Sequence, residues 1–287
     1  MLFTIYLLLK LLIFDLNFAN WLYLYNYIFM KLILLFVIVI GISAYVFIPG
    51  TRKSIQGAAP RSLRYDNKGF SVVELFTSEG CSSCPLADNV VAKIQQEDTN
   101  LPVYILAYHV DYWNKLGWKD VFSNAQYSKR KNEYANWLNL GSVYTPQIVV
   151  NGKKEFVGSE EETLRKTIAL NLEQKNATSV SLEGLQINNH LISMNYHIDQ
   201  SPADGVLQVV LVQKSGNTVV KRGENGGRTL SHVQIVRTLQ NIDLKGNQSG
   251  SVSIDFPTDM NRENAEIIAF IQNPHSGEIL GACKSPL

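Results

Sequence analysis

The chain has 287 residues, a formal net charge of +1, 46% hydrophobic residues and 18% charged ones. That length allows one or two domains with a substantial core. The balanced charge argues against a nucleic-acid binder, which carries a basic face, and three cysteines are too few for a small disulfide scaffold.

Charge is absent mainly from the start of the chain. Residues 1–59 hold four of the 26 basic residues (Lys10, Lys31, Arg52, Lys53) and one of the 25 acidic ones (Asp15), so the remainder carries 22 basic and 24 acidic, a net of −2. Residues 1–50 therefore read as an apolar leader. Its strong segment is 31–48, where the uncharged stretch 32–48 is 17 residues long, the short end of what spans a bilayer. Met30-Lys31 before an apolar run is also how a secretory signal begins, and Gly41-Ile42-Ser43 offers small residues for cleavage. The segment thus reads as an N-terminal transmembrane helix that anchors the body, or as a cleaved signal; a buried core helix is the plain alternative. Residues 1–29 are either a poor first membrane helix or translated upstream sequence, with Met30 as the start. Lys31 on one side and Arg52 and Lys53 on the other leave orientation unsettled. The signal-like pattern points to an inner-membrane-anchored or secreted protein with its body in the periplasm.

Residues 51–68 form a polar linker, and the folded body begins near residue 69. Residues 71–76, Ser-Val-Val-Glu-Leu-Phe, read as a strand, and Thr77-Ser78-Glu79-Gly80 as a turn. Cys81-Ser82-Ser83-Cys84-Pro85 follows, and Leu86, Val90, Val91 and Ile94 then recur at helical spacing. The two cysteines therefore lie at a helix N-terminus, with Pro85 suited to the first turn. Unpaired N–H groups and the helix dipole there favour a thiolate at Cys81. A separation of three positions lets both sulfurs join in one disulfide, with one nucleophile and one resolving partner. No second Cys-x-x-Cys completes a zinc site. A permanent structural disulfide is the alternative.

Residues 101–108 are almost continuously apolar, as a strand buried on both faces is. His109-Val110-Asp111-Tyr112-Trp113 and Leu116-Gly117-Trp118 follow, then a helix over 123–138. Val143-Tyr144-Thr145-Pro146-Gln147 leads into the strand 148–150. Asn151-Gly152 predicts a two-residue hairpin turn, with 155–157 pairing back and a closing helix over 160–172. The order is β-α-β-α-β-β-α. From residue 177 on, short alternating runs at 179–187, 191–198, 206–213, 229–238, 250–256, 265–272 and 279–283 predict an antiparallel, sandwich-like all-β domain. The division is thus a domain at 69–176 and a second at 177–287. Cys283 reads as a spare thiol.

This order, with Cys-x-x-Cys after the first strand and Thr145-Pro146 before the third, resembles the thioredoxin-like α/β fold with its mixed sheet. The runs 74–85, 109–113, 116–118 and 144–147, together with Gly223-Glu224-Asn225-Gly226-Gly227-Arg228, His232 and Val236-Arg237, are similar to the bacterial secreted-protein family of domain of unknown function 1223. The thioredoxin resemblance implies that Pro146 is cis and lies beside the cysteines, with Thr145 and Pro146 shaping a substrate edge.

The candidate catalytic residues are Cys81, Cys84, Thr145, Pro146 and His109. His109 follows the second strand at the sheet edge where open α/β sheets gather their sites. It either supports the Cys81 thiolate or pins the following insertion by hydrogen bonds. Asp111, Trp113, Trp118, Glu224, Asn225, Arg228 and His232 are candidates for a substrate groove or a domain interface. The tryptophans otherwise pack the insertion, and the Gly-rich loop otherwise holds itself together. The expected activity is thiol–disulfide exchange on protein thiols or disulfides, without a cofactor. Two alternatives are copper(I) held by Cys81, Cys84 and His109, since copper(I) favours soft thiolates, and a non-catalytic envelope binding module.

Overall fold

The computed structural model describes residues 27, 29–31, 69–97, 100–175 and 178–287. The chain divides into two compact units, residues 1–64 and 65–287. In the first, the Lys31 ammonium lies 4.6 Å from the centre of the Tyr27 ring. The stretch 32–48, expected to cross a membrane, lies outside the described residues. Among the described residues no helix is long and apolar enough to do so.

In the second unit, strand β1 (Ser71–Thr77) is buried throughout. Successive side chains alternate between faces, so Val73 and Leu75 enter one core while Val72 and Phe76 enter another. Helix α1 (Cys84–Glu97) follows, then β2 (Val103–His109), a single 3-10 turn at Asn114–Leu116, and α2 (Ala125–Trp137). The Asn124 side chain caps α2 by accepting the Gln126 N–H at 2.9 Å. Strands β3 (Gln147–Val150) and β4 (Lys154–Val157) and helix α3 (Glu161–Leu172) complete the first part. The β3–β4 turn takes in Lys153 as well as Asn151 and Gly152, one residue more than the sequence pattern predicts. The cause is tertiary. Asn151 is pinned to β1, accepting the Val72 N–H at 2.7 Å and donating to the Phe70 carbonyl at 3.0 Å.

Seven further strands follow: β5 (Val180–Asn188), β6 (Leu191–Ile198), β7 (Val206–Val219), β8 (Thr229–Asp243), β9 (Ser249–Asp255), β10 (Ala265–Gln272) and β11 (Ile279–Pro286). They do not close on themselves. One eight-stranded mixed sheet runs β11-β10-β7-β8-β2-β1-β3-β4, and a three-stranded sheet runs β5-β6-β9. β1 and β2 are parallel, while β3 is antiparallel to β1. β8 joins parallel to β2 where Ala107 faces Ile235. Strands from both sides of the sequence division at 176/177 thus share one sheet. The reason is the edge of β2, whose unpaired N–H and carbonyl groups need a partner.

Three cores result. Helix α2 covers one face, where Phe76, Tyr108, Tyr127 and Tyr134 meet Val210, Val236 and Phe270. Helices α1 and α3 cover the other face of β1–β3 through Val91, Ile94 and Leu164. The three-stranded sheet packs on the other face of β7 and β10 through Ile192, Met194 and Ile254. At the centre of the first core the buried Arg130 donates to Glu74 at 2.6 Å and to Gln272 at 3.0 Å. Tyr134 donates to the same Glu74. The cation also lies over the Tyr108, Tyr134 and Phe270 rings at 5.1–5.5 Å.

Candidate functional site

After β1 the chain turns at Ser78, whose carbonyl accepts the Cys81 N–H at 3.2 Å. Cys81 and Cys84 form a disulfide where α1 begins. Ser82 and Ser83 between them are exposed, but Cys81 is 1% exposed and Cys84 fully buried. Cys81 Sγ lies 3.5 Å from the Ser83 hydroxyl and 3.9 Å from the Thr145 carbonyl oxygen. The Thr145–Pro146 peptide bond is cis, as the resemblance implies. Trp113 holds this loop in place, its indole N–H donating to Thr145 Oγ1 at 2.8 Å. Gly158 lets Pro146 approach α1, because a Cβ there would stand 2.8 Å from Ala87 Cβ and 3.1 Å from Pro146 Cβ.

Beneath the disulfide lies a buried polar cluster. Asp88 sits one helical turn beyond Cys84 and accepts the Thr77 hydroxyl at 3.2 Å. His232, from β8, stands between two carboxylates, with Nδ1 3.4 Å from Asp88 and Nε2 3.5 Å from Glu79. These are ion-pair separations rather than aligned hydrogen bonds. Burial alone would lower the His232 pKa, but Asp88 and Glu79 outweigh it and raise the value to about 10. The imidazole is therefore a cation at neutral pH. Trp118 donates its indole N–H to the other Glu79 oxygen at 2.7 Å.

His109 packs edge-to-face on His232 at 4.8 Å. Its Nδ1 bonds Asp120 at 2.7 Å, and the same Asp120 oxygen accepts the Glu79 N–H at 2.8 Å. Burial works to raise the Asp120 pKa. The interaction with His109, together with the hydrogen bonds from the N–H groups of Glu79 and Phe122, wins and lowers it.

The long β7–β8 hairpin brings its tip to the cysteine loop. Asn225 is fully buried and donates to the carbonyls of Glu79 and Cys81, both at 2.9 Å. Arg228 fixes the Asn225 carbonyl at 2.7 Å. The Glu224 carboxylate accepts the Ser82 N–H at 2.9 Å. Gly223 has φ of +76° and passes Trp118 closely enough that a Cβ would lie 3.2 Å from Trp118 Cβ.

The structure thus gathers Cys81, Cys84, Thr145, Pro146, Trp113, Trp118, Glu224, Asn225 and His232 around one loop, with Arg228 bracing Asn225. Asp111 is turned elsewhere, sharing hydrogen bonds of 2.5 and 3.0 Å with Ser128. His109 directs its nitrogen at a carboxylate, and its neighbours are Asp120, Phe122 and His232. Sequence reasoning passed over Glu79, Asp88 and Asp120. Asp88 carried a readable signal, since position i+4 from Cys84 is the same helix face. Asp120 carried none, because only the folded insertion brings it to His109. Among the described residues no group of three or more His, Cys, Asp or Glu side chains is arranged to hold a metal ion.

The profile of a family described as "Protein of unknown function (DUF1223)" matches residues 72–272. No curated protein matches the chain. Among solved structures, a protein of Agrobacterium tumefaciens determined as a structural-genomics target is 26% identical, with a TM-score of 0.58, and the match covers 75% of this chain and 92% of that one. A β-glucuronidase of Ruminococcus gnavus aligns at 9% identity and a TM-score of 0.21, covering 39% of this chain and 15% of its own. A β-glucosidase of Kluyveromyces marxianus aligns at 14% and 0.21, covering 47% and 18%. Likeness at that level carries no argument about this chain.

Proposed function

The chain belongs to the DUF1223 family, and from that premise we propose that it is a thiol–disulfide oxidoreductase acting on protein thiols or disulfides at the cell envelope. The observation that carries the reading is the Cys81–Cys84 disulfide at the start of α1, flanked by the Thr145–Pro146 loop and underlain by buried acids and a histidine cation. The strand order β2-β1-β3-β4, with β3 antiparallel to β1, supports a thioredoxin-like core within the larger sheet. In this reading Cys81 is the nucleophile, favoured as a thiolate by the helix N-terminus. Cys84, further inside, resolves the mixed disulfide. Residues 31–48 serve as anchor or signal, and a reporter fused after residue 60 is then active only outside the cytoplasm.

The test is the trapping of a partner. Cys84→Ala leaves Cys81 able to form mixed disulfides that nothing resolves, so envelope extracts yield covalent adducts, and Cys81→Ala yields none. A folded Cys84→Ala protein that traps nothing overturns the assignment.

One observation favours a second reading. Cys81 is only 1% exposed, which suits a structural disulfide in a binding module. That reading expects both cysteine variants to lose about 2–4 kcal/mol of stability and neither to trap a partner.

A further inference from the structure

The tip of the β7–β8 hairpin places a carboxylate where a Cys81 thiolate would draw its stabilisation. Glu224 accepts the N–H of Ser82, the residue next to Cys81 in the chain, at 2.9 Å. This N–H belongs to the turn that opens α1, a helix of 14 residues. Hydrogen bonds from Ser82 hold the Glu224 carboxyl below the usual carboxylate range, so it is charged at neutral pH. Its position is not accidental to a floppy loop, since the neighbouring Asn225 is fully buried and clamps the carbonyls of Glu79 and Cys81.

We propose that Glu224 sets the redox poise of the Cys81–Cys84 pair, opposing the thiolate at Cys81 and holding the pair toward the disulfide. The inference rests on the oxidoreductase reading above. The chemistry is two-electron exchange. A glutathione thiolate attacks Cys81 Sγ, the bond to Cys84 breaks, and Cys84 leaves with the electron pair and takes a proton. A second glutathione thiolate attacks the glutathione sulfur of the mixed disulfide. Cys81 then leaves as a thiolate, and two glutathione thiols have become one disulfide. That departing thiolate meets the positive end of α1 on one side and the Glu224 charge on the other. Like charge disfavours it, which disfavours the reduced form and makes the pair harder to reduce. Other charges facing this loop are Glu79, Asp88 and the His232 cation, the Asp120 carboxylate that accepts the Glu79 N–H, and Arg228, which bonds Asn225. Glu79 and Asp88 share the His232 cation, whereas the contact of Glu224 here is the neutral Ser82 N–H, and among the described residues no ion pair holds it.

The experiment equilibrates the folded, full-length protein with glutathione buffers and titrates the Cys81 thiolate by its ultraviolet absorbance. Glu224→Gln keeps an oxygen acceptor for the Ser82 N–H and removes the charge. We expect it to shift the equilibrium toward the dithiol by about threefold at low salt, the scale of one exposed charge acting on another, and to lower the Cys81 pKa. Glu224→Lys shifts both further in the same direction. The difference from wild type shrinks in 1 M salt, where the screening length falls to about 3 Å. Identical equilibria for wild type and Glu224→Gln overturn the role of Glu224 while leaving the oxidoreductase reading intact. A shift that persists unchanged at high salt also overturns it, as the mark of a structural effect. A folded wild-type protein whose disulfide does not exchange with glutathione at all overturns both.

Discussion

His232 is the cation on which the buried cluster depends, and its removal gives the sharpest test of the site's electrostatics. Substituting His232 with Gln leaves Glu79 and Asp88 buried without their shared counter-charge; both carboxylates are 6% exposed or less. Breaking a buried pair by deleting one partner typically costs ~3–5 kcal/mol. The rise of the His232 pKa from 6.5 to about 10 gives a similar figure, on the order of 5 kcal/mol. The sign follows from proton linkage. A group whose pKa is higher in the folded state contributes its full stability below the unfolded value and loses it as pH rises through the folded value. The gap between wild type and His232→Gln should therefore be widest below pH 6.5 and close progressively toward pH 10. Urea unfolding at several pH values, with each variant compared to wild type at the same pH, measures it. A gap that stays constant from pH 6 to pH 10 refutes the charge argument and leaves only lost packing.

Two other expectations follow from buried charges. Arg130→Met removes the cation paired with the fully buried Glu74 and should cost ~3–5 kcal/mol, while the double variant Arg130→Met, Glu74→Leu should recover much of the loss, because both desolvated charges are then gone; denaturant midpoints of the three proteins decide it. Lys131 is 1% exposed, its ammonium lies 5.6 Å from the centre of the Tyr144 ring, and among the described residues it makes no hydrogen bond. Burial lowers its pKa to about 8, against the pull of Glu155. A base depressed in the folded state is a liability at low pH that fades as pH climbs from about 8 to the unfolded value near 10.5. Lys131→Met should thus stabilise the protein by up to about 3 kcal/mol at neutral pH and by little above pH 10.5, as read from unfolding at pH 7 and pH 11.

The sequence by itself determined the local elements. The run 71–76, the helical spacing after Cys84, the Asn151-Gly152 turn and the alternating strands beyond residue 177 each appear in the structure, although β7 and β8 extend to residues 219 and 243, well past the runs 206–213 and 229–238. Backbone periodicity and turn chemistry act over a handful of neighbours, and that range is visible in a string of letters. The cysteine pair and the Thr-Pro step were legible for the same reason, since each is a contiguous motif. Only the tertiary structure decided that β8 would pair with β2 and carry His232 beneath the disulfide, about 150 positions from Cys81. The tip of the same hairpin sets Asn225 and Glu224 on the cysteine loop, 144 and 142 positions from their partners there. The Gly-rich run 223–228 marked Glu224 as a candidate for an interface, but only the fold identifies the Ser82 N–H as the group it accepts. His109 shows the limit most clearly. Its place after β2 left two readings open, support of the Cys81 thiolate or a hydrogen bond that pins the following insertion, and only the fold shows the bond to Asp120 of that insertion. A buried polar group takes the nearest partner that packing provides, and packing exists only once the whole chain has folded.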